Sequence, residues 1–118
     1  YVDPAMIRYA VKLTGATREP AACGLEDLES YIGFGASPRA TIHLIEAARA
    51  LGFLRGRAYV LPQDIADVAP DVLRHRVVRT YDAMADEVST DQIVRRILAH
   101  ITAPERPMES HVAVEEQS

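Results

Sequence analysis

Apolar residues recur at helical spacing along most of this chain, and this periodicity restricts it to a mainly helical fold. The clearest stripe lies near the C-terminus and comprises Ile93, Val94, Ile97, Leu98 and Ile101. It follows Ser89 and Gln92, whose spacing predicts a capping box at the helix start. The sequence therefore predicts both where the last helix begins and which of its faces is buried.

Two longer helices are predicted upstream. Asp3 and Pro4 cap the first one, which is expected to end near Gly15. Its buried face is expected to comprise Met6, Ile7, Ala10, Val11 and Thr14. The second, central helix runs from about Ser37 to Leu54. Its apolar face is predicted to comprise Ala40, Leu44, Ala47, Ala48 and Leu51, opposite a polar strip of Arg39, His43 and Glu46.

The middle of the chain is divided by prolines and glycines. Residues 19–34 are expected to be a structured connection with one short helical segment. Pro62 starts a brief helix, which Pro70 is expected to interrupt before one further turn at 71–75. Residues 58–60 are expected to be a strand or an extended link, with which residues 77–81 can pair. The predicted fold class is mainly α, a small helical bundle with at most one short two-stranded β-ribbon.

The length of 118 residues allows one packed domain and is too short for two of ordinary size. We expect that domain at residues 1–103. Residues 104–118 contain two prolines and four glutamates without apolar periodicity, so a flexible acidic tail is expected there. Because the sequence begins at Tyr1 rather than Met, we also expect a larger parent protein.

The sequence lacks the motifs that several classes of enzyme and binding site require. The chain has no phosphate-binding Gly-x-x-x-x-Gly-Lys-Ser/Thr loop, no His-Glu-x-x-His and no Gly-x-Ser-x-Gly, so it should not turn over substrate alone. His43 and Glu46 are too few ligands for a structural metal site. With the lone Cys23, no signal peptide and no long apolar run, we expect a cytoplasmic protein without a membrane segment. The formal net charge of −4 argues against nucleic-acid binding.

The segment Gly-Ala-Ser-Pro-Arg-Ala at 35–40 predicts an anion-binding helix start. Ser37 is a favoured N-cap and Pro38 a favoured first residue, so Arg39 falls in the first turn. The positive end of the helix dipole lies there, and a cation gives up about 0.3–1 kcal/mol that an acidic residue would gain. A phosphate would relieve this conflict, because backbone N–H groups and the guanidinium can both face its oxygens. The alternative is an Arg39 turned toward a nearby carboxylate or water.

Four sequence blocks together resemble one known family. They are residues 24–40, residues 56–60 with Pro62 and Asp64, residues 72–76 and residues 81–83. In their order and spacing they resemble the C-terminal lid subdomain of MoxR-family AAA+ ATPases, from Thr17 to Pro104. Leu61 departs from the pattern, because the family commonly has Thr or Ser there. The loss of that side-chain cap costs about 1 kcal/mol on typical scales.

The resemblance implies a specific role for the helix start. Arg39 would be the sensor-2 arginine, which contacts the γ-phosphate of ATP bound by a P-loop core subdomain of the same parent. Ser37 and Pro38 would form the nucleotide-facing helix start. ATP and Mg²⁺ are implied for the full-length parent, and none is expected on this fragment alone, which lacks the Walker A and B motifs.

The resemblance also implies an assembly. Neighbouring subunits would form a hexameric ring, and the parent would be a chaperone-like ATPase for protein assembly or metal-cofactor insertion. A von Willebrand A-domain protein is a further implied partner.

Two other interpretations stay open from the residues alone. One is a helical protein-interaction module, in which Arg39 is an ordinary surface residue. The other is a small DNA-binding domain, suggested by 12 arginines and by short helices around residues 62–79. The roles of Arg18, Arg74, His75 and Arg76 are undecided at this level, although a solvated or subunit-facing patch is favoured for the last three.

Overall fold

The computed structural model describes residues 2–104, so residues 105–118 of the predicted tail lie outside them. The elements are α1 (Pro4–Arg18), a short 3-10 helix (Ala21–Cys23), α2 (Glu26–Glu29), β1 (Ile32–Phe34), α3 (Arg39–Leu54), α4 (Pro62–Arg74), β2 (Val78–Arg79), α5 (Tyr81–Ala85) and α6 (Thr90–His100). The predicted mainly helical fold with one ribbon is confirmed. Across this range, no helix combines the length and apolarity that crossing a membrane requires.

The core consists of two joined clusters of apolar side chains. The first contains Met6, Leu13, Leu25, Ile65, Ile93 and Ile97 among others. The second contains Ala40, Leu44, Ala69, Leu73 and Val94 among others. Four partly buried side chains pack against both clusters: Ile32, Ile45, Val68 and Leu98. These shared contacts make one continuous core, in which α3 packs against α1 and α4.

Helix α1 is longer than predicted and buries a partly different face. It continues through Gly15 to Arg18, because packing over its last turn outweighs the intrinsic cost of a helical glycine. Ile7 and Val11 were predicted to be buried but are 43% and 52% exposed. Their places in the core are taken by Tyr9, Leu13 and Thr17. Both stripes satisfy helical spacing, and the positions of the neighbouring helices decide which one is buried.

The two-stranded ribbon forms with a different partner from the one predicted. β2 pairs antiparallel with β1, so that Phe34 lies opposite Val78. Residues 58–60 are a loop, which places the Val60 side chain in the core. Helix α5 follows β2 directly and was not predicted; Thr80 caps it by accepting a hydrogen bond from the Ala83 N–H at 3.2 Å.

Pro70 does not interrupt α4, which contradicts the prediction. Proline lacks the N–H that would bond the preceding turn, and this normally destabilises a helix interior. The helix nevertheless continues to Arg74, because Ala69 and Leu73 flank the proline and are both fully buried. A helix end at Pro70 would remove Leu73 from the core, so tertiary packing outweighs the local cost.

Candidate functional site

The start of α3 is attached to the end of α1 by a buried threonine. Thr17 is 0% exposed, and its hydroxyl donates to the Thr14 carbonyl oxygen at 2.6 Å. The same hydroxyl accepts from the Ala36 N–H at 2.9 Å. A second link joins the Thr41 hydroxyl to the Thr14 hydroxyl at 3.1 Å. We call this group, with Gly35, the α1–α3 junction.

Gly35 is required for the close approach of the two chain segments. A Cβ atom at this position would lie 2.3 Å from the Thr17 carbonyl oxygen and 2.7 Å from the Arg18 Cα. Backbone atoms cannot yield that much space, so no other residue fits here. Ala36 and Ala40 are also fully buried. The small residues of segment 35–40 therefore hold the helix start in place, and three residues lie between Ala36 and Ala40.

Those intervening residues, Ser37, Pro38 and Arg39, are all exposed. Helix α3 begins at Arg39, preceded by Pro38 in a helical conformation with φ −56° and ψ −23°. The Ser37 carbonyl oxygen accepts from the Ala40 N–H at 2.9 Å. Its hydroxyl does not cap α3 within the described chain, so that prediction is wrong. The first turn is closed by the backbone instead.

Arg39 presents a guanidinium to solvent at the first turn of α3. Within residues 2–104 it makes no ion pair, and the first turn of α3 contains no acidic residue. The alternative in which Arg39 turns to a nearby carboxylate is therefore absent from this range. A guanidinium with paired N–H donors, beside the positive end of a helix dipole, is suited to a multi-oxygen anion.

A second arginine lies beside this helix start. Arg18 ends α1 and is exposed, and together with Pro38 and Thr41 it lines a groove of about 290 Å³ between α1 and α3. In the described range Arg18 also has no ion pair. The structure thus places Arg18 in a groove with Pro38, the residue before Arg39, a proximity that sequence spacing does not reveal.

The other arginines left undecided by the sequence have structural contacts. Arg74 donates from Nε and Nη2 to the two carboxylate oxygens of Asp91, at 2.8 and 3.1 Å. This hydrogen bonding lowers the pKa of Asp91 and raises the pKa of Arg74. Arg76 donates to the Val72 carbonyl oxygen at 3.0 Å, near the end of α4. Of the three residues 74–76, only His75 is left exposed without such a contact in the described range.

An ion cluster behind the α3–α4 loop was not predicted. The carboxylate of Asp64 is fully buried and accepts from Arg55 at 3.0 Å and from the two Nη atoms of Arg57 at 2.8 and 2.6 Å. It also accepts from the Leu61 N–H at 2.8 Å. That bond is one of the two hydrogen bonds of a capping box. It partly replaces the side-chain hydrogen bond that a leucine at position 61 cannot make. The spacing of Leu61 and Asp64 was the available signal.

Comparison with known proteins decides what this bundle is. A family model described as the AAA lid domain matches residues 26–97, which is more than half of the chain. The chain belongs to the AAA lid domain family. The lid is 49% identical over 105 residues to the chaperone MoxR1 of Mycobacterium tuberculosis, a match that covers 89% of the chain and 28% of that protein.

Two further relatives agree with this assignment. Protein MoxR of Paracoccus denitrificans is 43% identical over 81 residues, covering 65% of the lid and 24% of that protein. The crystal structure of a Cytophaga hutchinsonii protein assigned as an ATPase superposes with a TM-score of 0.84 at 43% identity, covering 88% of the lid and 32% of that chain. The predicted family is confirmed: this is a lid of the MoxR-family AAA+ ATPases, and it spans about a quarter to a third of the length of these relatives.

Proposed function

We propose that this lid supplies the sensor-2 arginine of its parent ATPase, and that Arg39 is that residue. The supporting observation is an exposed guanidinium, unpaired within residues 2–104, on the first turn of a helix whose start is fixed by Thr17 and Gly35. ATP differs from ADP by the γ-phosphate, and Arg39 would contact that group. Ser37 and Pro38 would line the nucleotide-facing surface on the N-terminal side of Arg39.

The chemistry asked of Arg39 is charge stabilisation. In phosphoryl transfer, charge spreads over the oxygens of the transferred group, and a positioned cation stabilises it without covalent chemistry. The P-loop core subdomain of the same parent would bind ATP and Mg²⁺, and Arg39 would reach the nucleotide from the lid. The lid by itself would then bind nucleotide weakly and hydrolyse none.

A γ-phosphate contact would also couple nucleotide state to motion. Arg39 would interact with ATP more strongly than with ADP, so the nucleotide would bias the angle between lid and core. We propose that this movement is passed to neighbouring subunits of a hexameric ring in the cytoplasm.

The role of the parent is proposed from its relatives. One of them, MoxR1, is named a chaperone. We propose a chaperone-like ATPase that serves protein assembly or metal-cofactor insertion, with a von Willebrand A-domain protein as partner. A second function, protein interaction by the lid itself, is favoured by Phe53 and Leu54, which are 78% and 80% exposed at the end of α3. Subunit contacts in a ring would use the same kind of surface.

Substitution of Arg39 in the intact ATPase tests the proposal. Arg39→Ala should lower ATP turnover about tenfold or more, because one stabilising cation of the transition state is lost. The melting temperature of the lid should stay unchanged or rise slightly, since the cation opposes the helix dipole. Arg39→Lys should restore activity only in part, because an ammonium lacks the planar pair of donors.

The matched control is Arg49→Ala. Arg49 is an exposed arginine on the same helix, about 15 Å farther along its axis. Its loss should leave steady-state hydrolysis unchanged. Wild-type hydrolysis by Arg39→Ala would refute the sensor-2 assignment, and a large fall in lid melting temperature would show instead that Arg39 is structural.

A further inference from the structure

The direction of Arg39 depends on the short segment that precedes it. The Pro38 ring restricts its own backbone φ, observed at −56°, and it also restricts the conformation of Ser37. Ala36 comes just before these two residues, and its N–H is bonded to the Thr17 hydroxyl at 2.9 Å. Few backbone rotations therefore remain free between that hydrogen bond and Arg39.

The Thr17 hydroxyl has no substitute partner at this point. Thr17 and Ala36 are both fully buried, so water does not reach the Ala36 N–H. The hydroxyl uses its single proton toward the Thr14 carbonyl oxygen, which leaves a lone pair directed to the Ala36 N–H. Removal of the oxygen would leave a buried donor unpaired, and the segment before α3 would move to satisfy it.

The contacts of Gly35 restrict the direction in which the segment before α3 can move. Gly35 is in contact with the backbone of Thr17 and Arg18, so the segment cannot move toward α1. It can move only away from α1, and Arg39 would move with it. A displacement of about 1 Å in a catalytic arrangement can lower the rate on the order of 100-fold.

We propose that Thr17 is a positioning residue for the γ-phosphate contact and acts through Arg39 without touching nucleotide. The proposal rests on the proposed sensor-2 function, since it requires a phosphate that Arg39 contacts. Thr17, at the end of α1, would then contribute to hydrolysis although its side chain is buried and uncharged. The buried hydroxyl of Thr17 and the exposed guanidinium of Arg39 would then form one functional unit.

The first test is Thr17→Val in the intact ATPase. Valine keeps the shape of the threonine side chain and removes both of its hydrogen bonds. A misplaced Arg39 would lose contact with the transition state more than with bound ATP, so kcat should fall about tenfold. KM for ATP should change less than about twofold, since the core subdomain supplies most of the binding. Thr17→Ser, which keeps the hydroxyl, should return kcat to within about threefold of wild type. Loss of activity in Thr17→Ser equal to that in Thr17→Val would overturn the proposal.

Ser89→Ala is the matched control. It removes a hydroxyl that accepts from the Gln92 N–H at 3.1 Å and caps α6, so it weakens another helix start of the lid at an exposed position. Its kcat should equal that of wild type. A tenfold fall in this control would mean that kcat follows lid stability in general, and the positioning role of Thr17 would be rejected.

A double-mutant cycle separates the two proposals. Thr17→Val combined with Arg39→Ala should be no slower than Arg39→Ala alone, because Thr17 acts through a side chain that is already gone. Additive losses would refute the positioning role and leave the sensor-2 assignment intact. Wild-type turnover by Arg39→Ala would refute the sensor-2 assignment itself. If Thr17→Val melts below the assay temperature, the whole cycle, including Thr17→Ser, is measured at a lower temperature at which Thr17→Val is folded.

Discussion

Leu44 and His43 are neighbours on α3 in opposite environments, since Leu44 is fully buried and His43 is exposed. Leu44→Ala should lower the free energy of unfolding by about 2–5 kcal/mol, because truncation leaves a cavity in the second cluster. His43→Ala should change it by less than about 0.5 kcal/mol, as for most exposed positions. Chemical denaturation of the two variants measures both values. Equal losses would mean that the buried face of α3 is misassigned.

Asp64 and Asp67 both bond to Arg55, but only Asp64 is fully buried. Asp64→Ala should cost about 1–3 kcal/mol, because the Leu61 N–H and the partly exposed Arg55 and Arg57 lose their shared acceptor. Asp67→Ala should cost less than about 1 kcal/mol, since its ion pair is partly solvated. Denaturant titration of this matched pair checks the difference. Similar costs would show that the buried cluster does not hold the α3–α4 loop.

The candidate site was predictable from sequence only in part. Arg39 in a first helical turn follows from local rules, because Pro38 and the stripe beginning at Ala40 define a helix start there. The contact of Thr17 with Ala36 joins residues 19 apart, and no local pattern encodes it. The Ser37 cap was predicted wrongly for the same reason, since the junction with α1 decides the backbone geometry at that point.

At the element scale, sequence rules succeeded where a helix carries its own boundary signal. In α6, Ser89 and Gln92 form both hydrogen bonds of the predicted capping box, at 2.7 and 3.1 Å, and Ile93, Val94 and Ile97 are buried. The rules failed where distant segments decide the outcome. β2 pairs with β1 rather than with residues 58–60, and strand partners of two or three residues carry too little pattern to identify.

The link between α4 and α6 should be acid-sensitive. Hydrogen bonding from Arg74 lowers the pKa of Asp91 in the folded chain below its value of about 3.9 in unfolded peptides. The ion pair therefore stabilises the fold above about pH 4, and this contribution is lost as pH falls through the lowered folded pKa. Asp91→Asn should melt lower than wild type at pH 7, and the two melting temperatures should converge in strong acid.

Asp71→Asn is the control for this pH dependence. Asp71 contacts Arg74 at 3.2 Å from a largely exposed position, and its substitution leaves the Asp91 pair in place. This variant should follow the acid dependence of wild type. A constant difference between Asp91→Asn and wild type from pH 7 to strong acid would show that the ion pair contributes nothing through its charge.

At the scale of the whole lid, α3 separates two surfaces. Arg39 is its first residue, and the exposed side chains of Phe53 and Leu54 lie at its end, about 22 Å away along the helix axis. The helix is held to α4 by the core and, at its end, by the Arg55 and Asp64 contact. A rotation that begins at the Arg39 end of α3 would therefore be carried to the far apolar surface as a rigid movement.

We expect the two core clusters to unfold together. Ile32, Ile45, Val68 and Leu98 pack against both clusters, so the loss of either exposes side chains that stabilise the other. Leu13→Ala in the first cluster and Leu44→Ala in the second should each give a single transition, with the same midpoint by circular dichroism and by amide exchange of α1 and α4. Under either variant, a transition of α1 separated from that of α4 would show that the lid does not unfold as one cooperative unit.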